Sequence, residues 1–268
     1  HAGFEDEISK SMHEHYLPVN AGDALPSTVT GTITSMADKI DTIAGGFMAG
    51  MKPTGSKDKF AIRRNAIALL ILAAENEKAD MDLREVIEFA CRLVSEHNKS
   101  LKYDINDIME FIIGRYNAVL NYETPVIQAA TGAGADRPVQ VRKKAQTIAK
   151  LLTGSDITGL AQLYKRGCNI VKKAGTFEGE PDTALFEQDE ERALYENVLN
   201  VRKKIAGLTD NLEIASGIIT IKPVLDSFFD KVFVMSDNEA VKNNRMKLIS
   251  TVTTLVTENI GDISYLNI

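Results

Sequence analysis

Cysteine is scarce: the chain of 268 residues has two, Cys91 and Cys168, far apart and each inside an apolar helical pattern. That excludes a disulfide framework and a CxxC metal site, and it leaves both thiols as small buried apolar residues. Long apolar runs are missing too. None approaches the roughly 18 residues that cross a bilayer, and no basic-then-apolar segment opens the chain, so the expected location is cytoplasmic. Histidines number four, and His13 and His15 are two apart, a spacing that points them to different helix faces and makes no ready metal pair. Strand signals are few, because β-branched residues recur mostly at helical spacing. The composition that remains, 44% apolar and 25% charged, is that of an ordinary globular protein, long enough for two packed units. The chain starts on His1 and enters in what reads as mid-helix, as expected of a piece of something longer.

The expected fold class is all-α. Ile33, Ala37, Ile40, Ala44 and Phe47 recur at three and four, as do Leu83, Val86, Ile87, Ala90 and Val94, with Asp80 placed to cap the second set. Residues 60–74 are apolar nearly all round after Arg64, which predicts a helix at the centre of its unit. Another helix starts at the cap Asp104 and carries Ile108, Met109, Ile112, Tyr116, Val119 and Leu120 before Pro125 ends the region. Further helices are predicted over 139–152, 156–174, 186–206, 210–235 with a break, and 238–259. The polar stretch 97–103 marks the expected domain boundary, giving units 1–102 and 103–268, the second a helical bundle.

Motifs for chemistry fail on inspection. Residues 50–57 read GMKPTGSK, but in a phosphate-binding P-loop the Lys follows the second Gly and a strand precedes the loop; here Ser56 comes first and the preceding segment is helical. Gly132 and Gly134 open a GxG, yet Arg137 stands where a third Gly belongs. No triad order invites assignment, so no catalytic residue is expected.

Charge is sorted by segment. The net charge of −6 argues against a nucleic-acid partner, but residues 137–173 hold nine basic residues against Asp156 alone, a local +8, which leaves −14 for the rest. Residues 178–196 then carry eight acids against Arg192. On the helix from 156, Leu160, Leu163, Tyr164, Gly167, Ile170, Val171 and Ala174 are expected inward, with Lys165, Arg166, Asn169, Lys172 and Lys173 on the opposite stripe. Cations neutralise phosphates, and an Asn offers donor and acceptor together to an unstacked base. Arg142, Lys143 and Lys144 stand at the start of the preceding helix, where the dipole does not favour cations. The alternative is that these bases pair with the acids of 178–196.

Six runs then carry a resemblance: HYLPVNAGDALP (15–26), MADKIDTIAGGF (36–47), PTGSKDKFAIRR (53–64), LYKRGCNI (163–170), FFDKVFVM (228–235) with Asn244, Arg245 and Met246 after it, and DIS (262–264). In this order they make the chain similar to the C-terminal part of the β subunit of bacterial glycyl-tRNA synthetases. The resemblance implies an HD-like helical domain up to about 102 and a DALR-like, α-helical anticodon-binding domain after it. It implies glycine tRNA as partner, together with an α subunit that holds ATP and Mg and performs the chemistry, and no cofactor in this segment. Lys165, Arg166, Asn169, Lys172 and Lys173 would grip the anticodon arm, with Arg142, Lys143 and Lys144 on phosphates. Arg245 is a further RNA-binding candidate, or else an inter-helix salt bridge. Lys57, Asp58, Arg63 and Arg64 are read as a charged loop and helix start. The rivals are an HD-type metal-dependent phosphohydrolase and a non-catalytic helical scaffold.

Overall fold

The computed structural model describes residues 6–20, 22–54, 58–77, 80–154, 156–174, 177 and 179–267, with the side chains of Asp156, Lys173 and Ala174 excepted. Helices dominate, and no extended strand occurs among the described residues. Contacts divide the chain into two units, His1–Asn121 with Gly134–Arg142, and Tyr122–Ala133 with Lys143–Ile268. Residues 104–121 therefore pack with the first unit, where the sequence reading had started the second, because Ile108, Met109, Ile112 and Tyr116 find their apolar partners there.

The first unit comprises α1 (Asp6–Glu14), α2 (Val29–Met48), α3 (Ile62–Glu75), α4 (Leu83–His97), α5 (Ile105–Ile113) and α6 (Tyr116–Val119). Helix α3 is its centre, as its all-round apolar sequence predicts: Ile62, Ala66, Leu69, Leu70 and Ala73 are buried against α2. The cap of α4 is Asp82, which accepts from Glu85 N, not Asp80. Asp104 does cap the next helix, but Gly114 and Arg115 break that segment into α5 and α6. Asp58 caps α3 from outside, accepting from Ile62 N at 2.8 Å and Arg63 N at 3.0 Å, a structural role of the kind expected of it; Lys57 lies outside the described residues.

Glu14 ties α1 to the start of α2. Its carboxylate accepts from Ser27 N at 2.9 Å, Ser27 Oγ at 2.7 Å, and both the backbone N–H and the hydroxyl of Thr28. The Ser27 and Thr28 hydrogen bonds hold its pKa down at about 2. A group that ionises more readily folded than unfolded stabilises fully above its ordinary value of 4.5 and loses that contribution as pH falls toward 2. Glu14→Gln is therefore expected to flatten the acid limb of the first unit's stability between those limits, measured by urea midpoints at successive pH values. An unchanged acid limb would show that Glu14 contributes nothing to it. Gly31 is obligatory here, since a Cβ would lie 2.0 Å from Glu14 Oε2.

The second unit contains α7 (Thr124–Thr131), α9 (Asp156–Ala174), α10 (Asp189–Ile205), α11 (Asn211–Ile219), α12 (Lys222–Lys231) and α13 (Glu239–Asn259), with 3-10 turns at Thr183–Leu185 and Ile263–Tyr265. Helix α8 (Pro138–Leu151) contributes residues 143–151 to it and 138–142 to the first unit. Pro125 opens α7 instead of ending a region: it stands in the first turn, where its missing N–H is no loss. Helix α13 is the hub, burying Met246, Leu248, Ile249, Val252 and Val256 against α9, α10 and α11. The expected break in 210–235 falls at Thr220–Ile221, between α11 and α12. Cys91 is buried as expected, whereas Cys168 is only half-buried; burial pushes the Cys91 thiol up to about 11 and raises that of Cys168, which disfavours the nucleophilic thiolate at both.

Candidate nucleic-acid interface

Helix α9 is positioned by its apolar stripe. Ile157, Leu160, Ala161, Tyr164 and Gly167 recur at three and four and are buried. Leu163, Ile170 and Val171, also expected inward, are half-buried, and Ala174 lies outside the described side chains. Gly167 permits the close approach of α13 and α12, because a Cβ there would stand 3.1 Å from Ile249, 3.2 Å from Thr253 and 3.7 Å from Phe229. The Tyr164 hydroxyl is hydrogen bonded to Thr257 Oγ1 of α13 at 2.7 Å, which fixes the helix's rotation. The opposite face is thereby turned outward, with Lys165, Asn169 and Lys172 exposed at a spacing of four and three. No salt bridge among the described residues involves these two lysines.

Arg166 is exposed but anchored. Its Nη2 donates to Phe229 O at 3.2 Å, and its guanidinium carbon stands 4.6 Å from the centroid of the Phe229 ring. Phe229 lies in the last turn of α12, where carbonyls lack intrahelical partners, so Arg166 satisfies one of them and complements the negative end of the dipole. The side chain of Lys173 lies outside the described residues.

The described acids of 178–196 form no salt bridge with this face. Glu180 pairs with Arg202 at 2.8 Å, Glu190 with Lys231 at 2.8 Å, and Glu187 and Glu191 with Arg245 at 2.9 Å each. The pairing expected as the structural alternative thus exists, but its basic partners come from α10, α12 and α13. The sequence had offered Glu191 only as part of an acidic run; its place at the third position of α10 was the available signal.

Arg245 belongs to the core. It is 3% exposed, donates from Nε and Nη2 to Glu191 and from Nη2 to Glu187, and gives Nη1 to Phe233 O at 2.9 Å. Burial by itself lowers its pKa, but Glu191 and Glu187 outweigh it and the net shift is upward. With its polar atoms engaged inside the bundle, Arg245 is the inter-helix ion pair and not a surface cation. It thereby explains why Arg245 accompanies FFDKVFVM, since it holds that segment's backbone.

The three bases of α8 also divide. Arg142 pairs with Glu77 at 2.7 Å and Glu75 at 3.7 Å within the first unit. Lys144 is half-buried, its Nζ 3.5 Å from Thr257 O, and burial lowers its pKa against the opposing pull of Glu258. Lys143 is half-buried and borders, with Lys150, Thr147 and Asp210, a groove of about 170 Å³. These contacts bear on the question raised by cations at an unfavourable helix end: Arg142 and Lys144 have partners in the fold. The surface left on α9 is Lys165, Arg166, Asn169 and Lys172. Among the described residues no cluster of three or more His, Cys, Asp or Glu side chains could hold a metal ion, and no helix is long and apolar enough to cross a membrane.

Comparison with known proteins falls onto this architecture. Residues 1–132 match the family described as "Glycyl-tRNA synthetase beta subunit", and residues 160–261 match the "DALR anticodon binding domain". The chain is 34% identical over 276 residues to the glycine–tRNA ligase β subunit of Acinetobacter baumannii (strain AYE), an alignment covering 98% of the chain and 39% of that protein. The chain belongs to the glycyl-tRNA synthetase β-subunit family. The same named subunit from Psychromonas ingrahamii is 33% identical over 273 residues, with 99% of this chain and 39% of that one covered. That of Desulfatibacillum aliphaticivorans is 33% identical over 265 residues, covering 95% and 38%. The chain therefore spans about two fifths of the length of these relatives. The anticodon-binding match runs from within α9 to just past α13, so the exposed stripe, the buried Arg245 and its acidic partners all lie inside that domain.

Proposed function

We propose that this segment is the tRNA-recognition portion of a glycyl-tRNA synthetase β subunit, and that α9 grips the anticodon arm of glycine tRNA. The single observation that carries the reading is the outward stripe of Lys165, Asn169 and Lys172, free of salt bridges among the described residues, in a domain similar to anticodon-binding domains. Lysines left unpaired on an ordered helix neutralise backbone phosphates, and Asn169 between them can read a base edge. Arg166, fixed on Phe229, offers the remaining guanidinium donors in one orientation. Lys173 continues the stripe in sequence. Under the same proposal the first unit is the HD-like module, glycine activation with ATP and Mg takes place on a separate α subunit, the segment holds no cofactor, and the enzyme works in the cytoplasm.

Lys165→Ala with Lys172→Ala is expected to weaken binding of a glycine tRNA transcript and to reduce the slope of log K against log salt by about 2, one unit per lost phosphate contact. Filter binding at a series of salt concentrations, with circular dichroism for helix content, measures both. Equal affinity and slope in a folded variant would remove α9 from the interface. The rival HD-type phosphohydrolase needs clustered His and Asp ligands, and the described residues offer none.

A further inference from the structure

Helix α2 buries a lysine that the tRNA reading does not use. Lys39 is 2% exposed, and its Nζ donates to Ser35 Oγ at 2.8 Å and to His15 O at 3.3 Å. Ser35 is itself committed, donating to Leu17 O. An ammonium has three N–H donors, and the third has no acceptor among the described residues. No carboxylate pairs with it within salt-bridge distance there either. Buried charges are ordinarily paired, so a lysine held only by neutral oxygens is an uncompensated cation. Burial accordingly lowers its pKa, opposed only by its exposed sequence neighbour Asp38.

The same lysine borders a pocket of about 160 Å³, shared with Tyr16, Asp38, Ala61, Arg64 and Asn65. Arg64 is exposed and in no ion pair among the described residues, so the pocket has two cations against one carboxylate. Ala61 adds a second observation. It is the one non-glycine residue with positive φ among those described, at 55°, a left-handed conformation strained for an L-residue. The pocket is smaller than the ~300 Å³ at which pockets for organic ligands begin, which fits an ion-sized group.

We propose that this pocket binds a phosphate group, with Lys39 as its buried cation, Arg64 at the mouth and the Asn65 amide as an added donor. A tetrahedral anion offers only acceptors, which is what an unused ammonium hydrogen, a guanidinium and an amide require. The phosphate comes either as the free inorganic ion or as a terminal phosphate of RNA. The proposal concerns the first unit and stands apart from the α9 reading.

The test is ³¹P line broadening of inorganic phosphate by the whole chain, at constant ionic strength set with chloride. Wild type should broaden the signal, Arg64→Gln should weaken binding roughly tenfold, the equivalent of one charge-assisted hydrogen bond, and Lys39→Met should abolish it. Should Lys39→Met fail to fold, Arg64→Gln decides alone. The Lys165→Ala, Lys172→Ala variant must respond like wild type, because those lysines lie elsewhere. Competition by a short oligoribonucleotide carrying a 5′-phosphate, but not by its 5′-hydroxyl form, would assign the site to RNA ends; competition by neither leaves inorganic phosphate as the ligand. No broadening in wild type, or equal broadening in wild type and Arg64→Gln, overturns the proposal.

Discussion

Arg245→Met is expected to destabilise the second unit by about 3–5 kcal/mol, the loss that follows when one member of a buried ion pair is removed and the other stays. Glu191 is fully buried, and its carboxylate accepts from the Arg245 guanidinium and from Glu187 N at 3.0 Å and Gln188 N at 2.9 Å. The variant strips the guanidinium and leaves the carboxylate without its counter-charge in the core. It also frees Phe233 O, so the segment after α12 loses its tether. Combining it with Glu191→Gln should recover part of the loss, since the amide oxygen still accepts a backbone N–H and no bare charge remains. Urea unfolding of the single and double variants measures the difference. A single variant within 1 kcal/mol of wild type would show that the pair is dispensable.

Gly261→Ala is expected to cost about 3 kcal/mol, for two reasons that add. Its φ is +137°, where a side chain strains the backbone, and an added Cβ would stand 2.6 Å from Ala129 O and 3.2 Å from Ile148. Ala129 O cannot turn aside without giving up the hydrogen bond from Asp262 N at 2.8 Å, which docks the terminal turn on α7. Gly179 is the control. It also has positive φ, +85°, but among the described residues nothing lies within 4 Å of its Cβ position, so Gly179→Ala should carry only the strain of about 1 kcal/mol. Equal losses at the two positions, read from thermal melts, would refute the steric part of the argument.

Arg245 is a residue whose role the sequence indicated only obliquely. Arg245 was visible inside a family motif, and a surface role and a core role looked alike there, because a guanidinium is soluble in either setting once paired. Glu191 decides between them, and it lies 54 positions away along the chain. Arg142 and Lys144 had the same ambiguity: each is basic and amphipathic, and each is held by partners, Glu77 and Thr257, that no local pattern connects to it. Helix ends were harder to read than helix centres. Asp80 and Asp82 are equally good caps on paper, and Pro125 stops one helix as readily as it starts another, so the choice rests on how the chain enters the packed layer.

The amino-acid order alone determined the all-α class, which faces of the helices are apolar, and that cations gather between 137 and 173, since period and charge are properties of neighbours along the chain. Tertiary structure alone decided which of those cations remain in solvent. Whether Lys165 and Lys172 stay bare while Arg142 is paired depends on where distant carboxylates are brought, and burial and pairing are set by packing between segments rather than within them.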